Sequence, residues 1–118
     1  MRQFSFLSWN VYQDSQTLFS RILAVSKKVP KDYGFELRTQ LIRAALSIIL
    51  NIAEGSGKHS KKELARFLDI ALGSAYETLA CLDTLVIHRV ITEHEFNELR
   101  DRISSVCKQI GELKRSIK

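Results

Sequence analysis

One stretch of this sequence limits the possible folds more than any other: the ten residues that begin at Ala44 include only two polar side chains. The apolar spacing around this stretch is helical, and a helix that is apolar all round must be covered on every side. A helix in a small bundle normally leaves one side to solvent. We therefore expect a second apolar face, carrying some of Ile42, Ile49 and Leu50, to be covered by a neighbouring subunit.

The rest of the chain has the apolar periodicity of long helices. It has 118 residues with one proline and five glycines, so few residues interrupt the repeating pattern. This length suits one domain, and short connections place consecutive helices side by side and antiparallel. The sequence therefore predicts an all-α fold, an antiparallel up-down-up-down four-helix bundle in a single domain over residues 1–118. Its helices are expected at about 8–29, 35–54, 60–90 and 93–117.

Proline and glycine mark the predicted boundaries of the second helix. Pro30 cannot continue a helix, so it is expected to end the first one. Gly34 suits a turn with positive φ just before the second helix begins. Gly55 and Gly57 suit the C-terminal cap that ends it.

Capping boxes, in which a hydroxyl and a carboxylate satisfy backbone N–H groups reciprocally, are predicted to begin the last two helices. They are Ser60–Glu63 for the third helix and Thr92–Glu95 for the fourth. The fourth helix then has apolar residues at heptad spacing, which is typical of a bundle seam. The heptad positions are Phe96, Leu99, Ile103, Val106, Ile110, Leu113 and Ile117.

A cluster of positive charge begins the third helix. The formal net charge of the chain is +5, which suggests an acidic partner without identifying it. Free N–H groups and the dipole at a helix N-terminus attract anions, so basic residues there favour contact with a phosphate backbone. A solvated lysine-rich turn explains the same residues equally well. The candidate nucleic-acid-binding residues here are Lys58, His59, Lys61, Lys62 and Arg66.

The predicted topology would gather more charge around this cluster. In an up-down-up-down bundle, the corner between the second and third helices shares one pole with both chain termini. Such poles, repeated around an oligomer, would bind a polyanion through many weak, salt-sensitive contacts. The further charged residues expected at this pole are Arg2, Lys114, Arg115 and Lys118, against Glu54, Glu63 and Glu112.

Polar residues interrupt the apolar helices at Ser47, Asn51, Glu54 and Glu77. A buried polar group is costly unless it is hydrogen-bonded, so we expect these side chains to fix helix register or subunit contacts. The alternative is a catalytic carboxylate pair formed by Glu54 and Glu77. Because no nucleophile and base stand in a recognisable arrangement, we predict no catalytic residues and no enzymatic activity.

The sequence predicts neither a cofactor nor a metal site. The three histidines share no ligand spacing, and the glycines near Lys58 lack the earlier glycine of a phosphate-binding loop. Cys81 and Cys107 lie in apolar helical patterns and are expected to be buried thiols in a reducing cytoplasm. No signal peptide or membrane span is evident, so a cytoplasmic protein without a membrane partner is predicted.

Four segments of the chain together resemble a known family. They are Gln40-Leu-Ile-Arg-Ala-Ala-Leu-Ser-Ile, Asn51-Ile-Ala-Glu-Gly-Ser-Gly-Lys, Ser60-Lys-Lys-Glu and Phe67-Leu-Asp-Ile-Ala-Leu-Gly-Ser-Ala-Tyr-Glu. The family is the bacterial four-helix-bundle family encoded in intervening sequences of large-subunit ribosomal RNA genes. It includes Avd, the accessory variability determinant of diversity-generating retroelements. The resemblance spans Val11 to about Val90.

The resemblance implies a bundle that assembles as a barrel-like homopentamer. For Avd it implies a basic surface that binds RNA or DNA and associates with a reverse transcriptase. Arg43 and three lysines of the basic cluster fall where the family is typically basic or polar, whereas Ile42 and Leu79 depart from the pattern by removing charge. Gly73 is also expected to allow a close backbone contact. The residues that match the family signature directly are Asn51, Glu54, Gly55, Gly73, Ser74 and Glu77.

Three functions are consistent with the sequence. The first is a non-enzymatic, nucleic-acid-binding homopentamer that assists a retroelement reverse transcriptase in diversity-generating mutagenic retrohoming. The second is an intervening-sequence product that acts as a protein–protein scaffold without binding nucleic acid. The third is a hydrolase that uses Glu54 and Glu77.

Overall fold

The computed structural model describes residues 3–117, apart from the side chain of Tyr33. A short 3₁₀ helix, Ser5–Ser8, precedes four α-helices, and none of the described residues belongs to a strand. The all-α fold with four packed helices is therefore confirmed. The α-helices are α1 (Asn10–Ser26), α2 (Lys31–Ser56), α3 (Lys61–Ile87) and α4 (Glu93–Ser116).

Each helix packs against its two neighbours in a square, and α2 with α3 forms the most extensive pair. Contacts between α1 and α4 close the square and show their antiparallel direction. Lys28, just after the end of α1, pairs with Glu95 at the start of α4. Gln109 in the second half of α4 donates to Asp14 in the first half of α1 at 2.8 Å. The bundle is elongated, with extents of 46 × 23 × 20 Å.

The core is built from the apolar stripes that the periodicity predicts. Each helix contributes residues spaced three or four apart, and these meet on the axis of the bundle. The heptad positions of α4 from Leu99 to Ile110 are buried. The largest side chains that are fully buried are Leu18, Ile22, Leu41, Ile48, Ile52, Leu68, Leu82, Leu85, Leu99 and Ile110.

The start of α2 differs from the prediction. The helix begins at Lys31 rather than about Phe35, with Pro30 as its N-cap residue, a position where the missing N–H costs little. Gly34 therefore lies inside the helix, and the predicted positive-φ turn is wrong. A Cβ added at Gly34 would lie 2.4 Å from Cγ1 of Val29. Close approach of the preceding chain, not turn geometry, explains this glycine.

Gly55 likewise lies within α2, which continues to Ser56, so its predicted capping role is wrong. A Cβ there would lie 2.8 Å from Cβ of Phe67, so the glycine allows α2 and α3 to approach closely. Gly57 is the C-cap residue, but its φ of −88° is not left-handed.

The end of α3 is capped by a Schellman motif, which sequence reasoning did not anticipate. Arg89 has a φ of 61° and follows the C-cap residue of α3. The N–H of Val90 donates to the carbonyl of Leu85 at 2.9 Å, and that of Arg89 donates to Val86 at 3.1 Å. The helix consequently ends at Ile87, three residues before the predicted boundary.

One of the two predicted capping boxes is complete. The N–H of Glu95 donates to Thr92 Oγ1 at 3.0 Å, and the N–H of Thr92 donates to Glu95 Oε1 at 2.9 Å. At the start of α3, the N–H of Glu63 donates to Ser60 Oγ at 3.0 Å, but the Glu63 carboxylate pairs with Arg66 instead of returning to Ser60. The Thr92 box is confirmed, and the Ser60 box is half formed.

Helix α3 is long and apolar enough to cross a membrane by length and composition alone. The core helix of a soluble protein passes the same test. Leu68, Ala71 and Ala75 of α3 are fully buried against the other helices, whereas other apolar residues of this helix, such as Ile70 and Tyr76, are exposed. The expectation of no membrane partner stays a prediction.

Candidate nucleic-acid interface

The corner between α2 and α3 lies at the same pole of the bundle as the two ends of the described chain. The N-terminal segment from Gln3, the corner around Gly57 and Ile117 after α4 line one cleft of about 820 Å³. The juxtaposition that the topology predicted is therefore present for these residues. Arg2 and Lys118, which were also expected here, lie outside the described residues. We call this end of the molecule the basic pole.

Four basic residues at the basic pole are exposed and, within the described part of the chain, form no ion pair: His59, Lys61, Lys62 and, in the last turn of α4, Arg115. Lys61 and Lys62 are the first two residues of α3, where backbone N–H groups have no intrahelical partner. Side-chain charge and free N–H donors therefore occupy the same small surface, which suits an anion.

The other two predicted cations, Lys58 and Arg66, are more constrained. Arg66 donates to both carboxylate oxygens of Glu63, from Nε at 3.2 Å and from Nη2 at 3.3 Å. This hydrogen bond is the main reason that the pKa of Glu63 is lowered. Nζ of Lys58 lies 3.8 Å from a carboxylate oxygen of Glu54. The charged groups of Lys58 and Arg66 both lie over the ring of Phe67, 5.1 Å and 4.5 Å from its centroid.

Two further predicted cations do not join this cluster. Arg43 is exposed in the middle of α2, about 20 Å along the helix axis from the corner. Lys114 is near the basic pole, but its ammonium group pairs with Asp69 of α3. The unpaired positive charge at this pole consequently lies on Lys61 and Lys62 in the first turn of α3 and on Arg115 in the last turn of α4.

The polar residues of α2 and α3 form a hydrogen-bonded seam between the helices. Ser74 Oγ donates to Ser47 Oγ at 2.8 Å, and Asn51 Nδ2 donates to the Ser47 carbonyl at 2.8 Å and to its Oγ at 3.0 Å. Farther along, Gln40 Nε2 donates to the carboxylate of Glu77. Only the bonds of Ser74 and Gln40 join α2 to α3, since Asn51 and Ser47 both lie on α2.

Glu54 and Glu77 are both exposed and are not brought together. Glu77 is bonded to Gln40, which lies fourteen residues before Glu54, or about 21 Å along α2. The carboxylate pair proposed for a hydrolase therefore does not form within this chain. Among the described residues, no group of three or more metal-ligating side chains is present either.

An apolar surface remains uncovered on the outer side of the α2–α3 pair. Leu50 is 53 % exposed, and Ile70 and Tyr76 of α3 are 41 % and 67 % exposed. Ile49, one of the residues expected on this face, is buried within the chain, and Ile42 is half-buried. We call the exposed set Leu46, Leu50, Ile70 and Tyr76 the outer apolar face.

Gly73 lies beside these residues and is exposed. Nothing lies within 4 Å of a Cβ added at Gly73, so the described chain contains no close contact that requires a glycine there. The predicted close backbone contact is absent within the chain. Its predicted role between subunits stays a prediction.

The two cysteines are half-buried free thiols rather than fully buried ones. Burial raises the pKa of both thiols, and the nearby Glu77 carboxylate adds to this effect at Cys81. A raised pKa disfavours the reactive thiolate, so neither cysteine has the surroundings of a nucleophile.

Comparisons with known proteins agree with the four-helix fold. The family model described as 23S rRNA-intervening sequence protein matches residues 8–112. The fold is similar to the crystal structure of a protein of unknown function from the S23 ribosomal protein family of Bacteroides thetaiotaomicron. The two chains are 26 % identical with a TM-score of 0.82, and the match covers 88 % of this chain and 97 % of the other. A comparison with curated proteins gave no significant match.

Proposed function

The chain belongs to the family of 23S rRNA intervening-sequence proteins, and we propose that it is a self-assembling, non-enzymatic protein that binds RNA or DNA through its basic pole. The observation that carries the proposal is the pair of exposed, unpaired lysines Lys61 and Lys62 on the first turn of α3, with the exposed His59 just before it. Their neighbours Lys58 and Arg66 lie over Phe67 and are paired with Glu54 and Glu63.

The chemistry of this surface suits a phosphate backbone. Each lysine supplies a compact charge that replaces a counterion on a nucleic acid, and this exchange makes the affinity depend on salt. Free N–H groups at the start of α3 add donors for phosphate oxygens. None of these contacts reads a base in a groove, so we expect binding with little sequence preference.

Assembly into an oligomer would present several copies of this surface, each of which binds weakly. The outer apolar face is the kind of exposed surface that marks a protein–protein interface, and Gly73 would let a second backbone approach closely. Linked copies raise the effective concentration of each basic pole at a polyanion. The family resemblance favours a homopentamer, whose mass would be five times the 13.5 kDa of one chain.

The biological setting is proposed from the resemblance to Avd. On that basis the protein assists a retroelement reverse transcriptase in mutagenic retrohoming, and the transcriptase is a direct partner. The alternative is an intervening-sequence product that acts as a protein scaffold without binding nucleic acid. The outer apolar face favours this alternative as much as it favours the first, so only a binding experiment separates them.

The test is binding of a labelled nucleic acid by three proteins at low salt. They are the wild type, the double variant Lys61→Glu with Lys62→Glu, and the matched control Lys27→Glu with Lys31→Glu. The control makes the same charge change on exposed lysines at the opposite pole. We expect the first variant to weaken binding at least tenfold and the control to change it less than threefold.

If assembled wild-type protein binds no polyanion at low salt, the scaffold alternative replaces the proposal. If the two variants weaken binding equally, net charge rather than the basic pole is responsible, and the site assignment is wrong.

A further inference from the structure

The cleft at the basic pole has a wall that the phosphate contacts do not use. Three aromatic side chains of the N-terminal segment, Phe4, Phe6 and Trp9, line it beside the basic corner. We propose that this cleft accepts an unpaired base of a single-stranded nucleic acid, stacked on Phe4. The inference rests on the proposed function and specifies the form of nucleic acid that the basic pole prefers.

Only one of the three rings is free to stack. Phe6 packs edge to face against Tyr12, with ring centroids 5.0 Å apart and an angle of 79° between the planes. Trp9 packs against the hydrophobic core. Phe4, by contrast, is 63 % exposed, so its ring contributes little to the core. The two anchored rings form the wall, and Phe4 offers an open aromatic surface to a ligand.

The backbone holds Phe4 in an unusual conformation at this position. Its φ is 61°, in the left-handed region that bulky residues seldom adopt. The Phe4 carbonyl accepts the N–H of Leu7 at 3.2 Å and so begins the short 3₁₀ helix. The segment is therefore ordered by its own hydrogen bonds, while the ring at its head remains exposed.

The charges around the cleft complete the recognition of a nucleotide. Lys58, His59 and Lys61 line it, and none of its described lining residues is acidic. A ligand that contacts both the aromatic wall and the lysines needs a flat apolar ring and a negative group within a few ångströms of each other. A base with its adjacent phosphate has this chemistry, and the cleft volume of about 820 Å³ is sufficient for it.

A duplex cannot use this cleft in the same way. Its bases are stacked on one another, so only its phosphates are available to the lysines. A single strand can turn a base outward to stack on an aromatic ring, and such stacking adds to the affinity whatever the base. The structure thus predicts that stacking on Phe4 adds to single-strand affinity and leaves duplex affinity unchanged.

The test compares a short labelled single strand with the blunt duplex of the same sequence by fluorescence anisotropy. The proteins are the wild type, Phe4→Ala, Phe4→Tyr and Leu7→Ala. Leu7 is exposed on the same segment but does not line the cleft, so it is the matched control. Because Phe4 is exposed, its truncation should leave the fold intact, which circular dichroism checks.

We expect Phe4→Ala to weaken single-strand binding by about fivefold or more, with duplex binding unchanged. Phe4→Tyr should restore single-strand affinity because it keeps the flat ring, and Leu7→Ala should match the wild type. In competition, adenosine monophosphate should displace the single strand at lower concentration than ribose 5-phosphate, which has the phosphate without the base. Displacement by the mononucleotide at micromolar concentration would identify a free nucleotide as the ligand and overturn the single-strand assignment.

Two outcomes separate this inference from the proposed function. If Phe4→Ala binds the single strand as the wild type does, while Lys61→Glu with Lys62→Glu weakens both forms, the stacking inference is wrong and the proposed function stands. If the wild type binds neither the single strand nor the duplex, both are wrong.

Discussion

The hydroxyl of Ser74 donates a hydrogen bond to the hydroxyl of Ser47, 2.8 Å away, across the most extensive helix pair of the bundle. Asn51 donates to the same hydroxyl, one turn farther along α2. The bond between Ser74 and Ser47 crosses from α3 to α2, so sliding one helix along the other would break it, whereas the bond from Asn51 lies within α2. The polar seam therefore specifies the register of α2 against α3.

Removing one side of this seam should destabilise the protein modestly. We expect Ser74→Ala to lower the free energy of unfolding by about 1 kcal/mol, because one buried hydrogen bond is lost. A double-mutant cycle with Ser47→Ala, measured by urea denaturation, should give a coupling of about 0.5–1 kcal/mol. Purely additive effects would show that the bond contributes nothing to stability.

The two glycines of the α2–α3 pair should respond oppositely to alanine. Gly55→Ala places a Cβ 2.8 Å from Phe67 and should cost about 1–3 kcal/mol through overpacking. Gly73→Ala meets no atom within 4 Å and should gain up to about 1 kcal/mol of helix stability. Both should be measured by urea denaturation on a Leu50→Glu background, which removes the proposed assembly. A stabilising Gly55→Ala would contradict the close helix approach.

The capping box of α4 should make part of the stability depend on pH. The hydrogen bond from Lys28, followed by that from the Thr92 N–H, lowers the pKa of Glu95 below the ordinary value of a glutamate. A lowered carboxylate pKa stabilises the fold above about pH 4.5, and this contribution is lost as pH falls through the folded-state pKa. Glu95→Gln should therefore be less stable than the wild type at neutral pH, with the difference vanishing at strongly acidic pH.

That comparison is made by urea denaturation of both proteins across the acidic range. Lys28→Met gives the matched control, since it removes the first cause of the shift but keeps the capping hydrogen bonds. A gap between the wild type and Glu95→Gln that stays constant with pH would contradict the assigned cause.

Assembly should depend on the outer apolar face. Leu50 is 53 % exposed in the single chain, so Leu50→Glu should leave the monomer fold unchanged while burying a charge in the proposed interface. Sedimentation equilibrium should give a multiple of 13.5 kDa for the wild type and 13.5 kDa for the variant. Leu23→Glu, an exposed position on α1, should assemble as the wild type does. Assembly that survives Leu50→Glu would place the interface elsewhere.

Much of the fold could be predicted from the sequence because the apolar periodicity of a helix remains recognisable even when a single residue is misassigned. The heptads of α4 and the Thr92 cap are local patterns, and both were predicted correctly. Glycine was harder to interpret, since Gly34 and Gly55 serve close packing between segments rather than a turn or a cap. Such packing depends on which segments meet in space, and sequence spacing alone does not contain that information.

The candidate site was predicted only in part for the same reason. The basic run around Lys61 is visible in the sequence, and topology correctly placed it near the two ends of the described chain. The sequence did not show which cations form ion pairs and which are free. The Glu63 carboxylate, for example, pairs with Arg66 instead of making the capping contact expected of it. The aromatic wall with Phe4 was missed altogether, since its short 3₁₀ helix has no periodic signal.

The most direct test of the central claim is the salt dependence of nucleic-acid binding. The slope of log affinity against log salt counts the phosphates neutralised, at about 0.9 per contact on a duplex. Lys61→Ala with Lys62→Ala should weaken binding and reduce this slope by about two for each basic pole engaged, whereas Lys27→Ala with Lys31→Ala should leave it unchanged. An unchanged slope for the Lys61 and Lys62 variant would contradict the basic pole as the nucleic-acid interface.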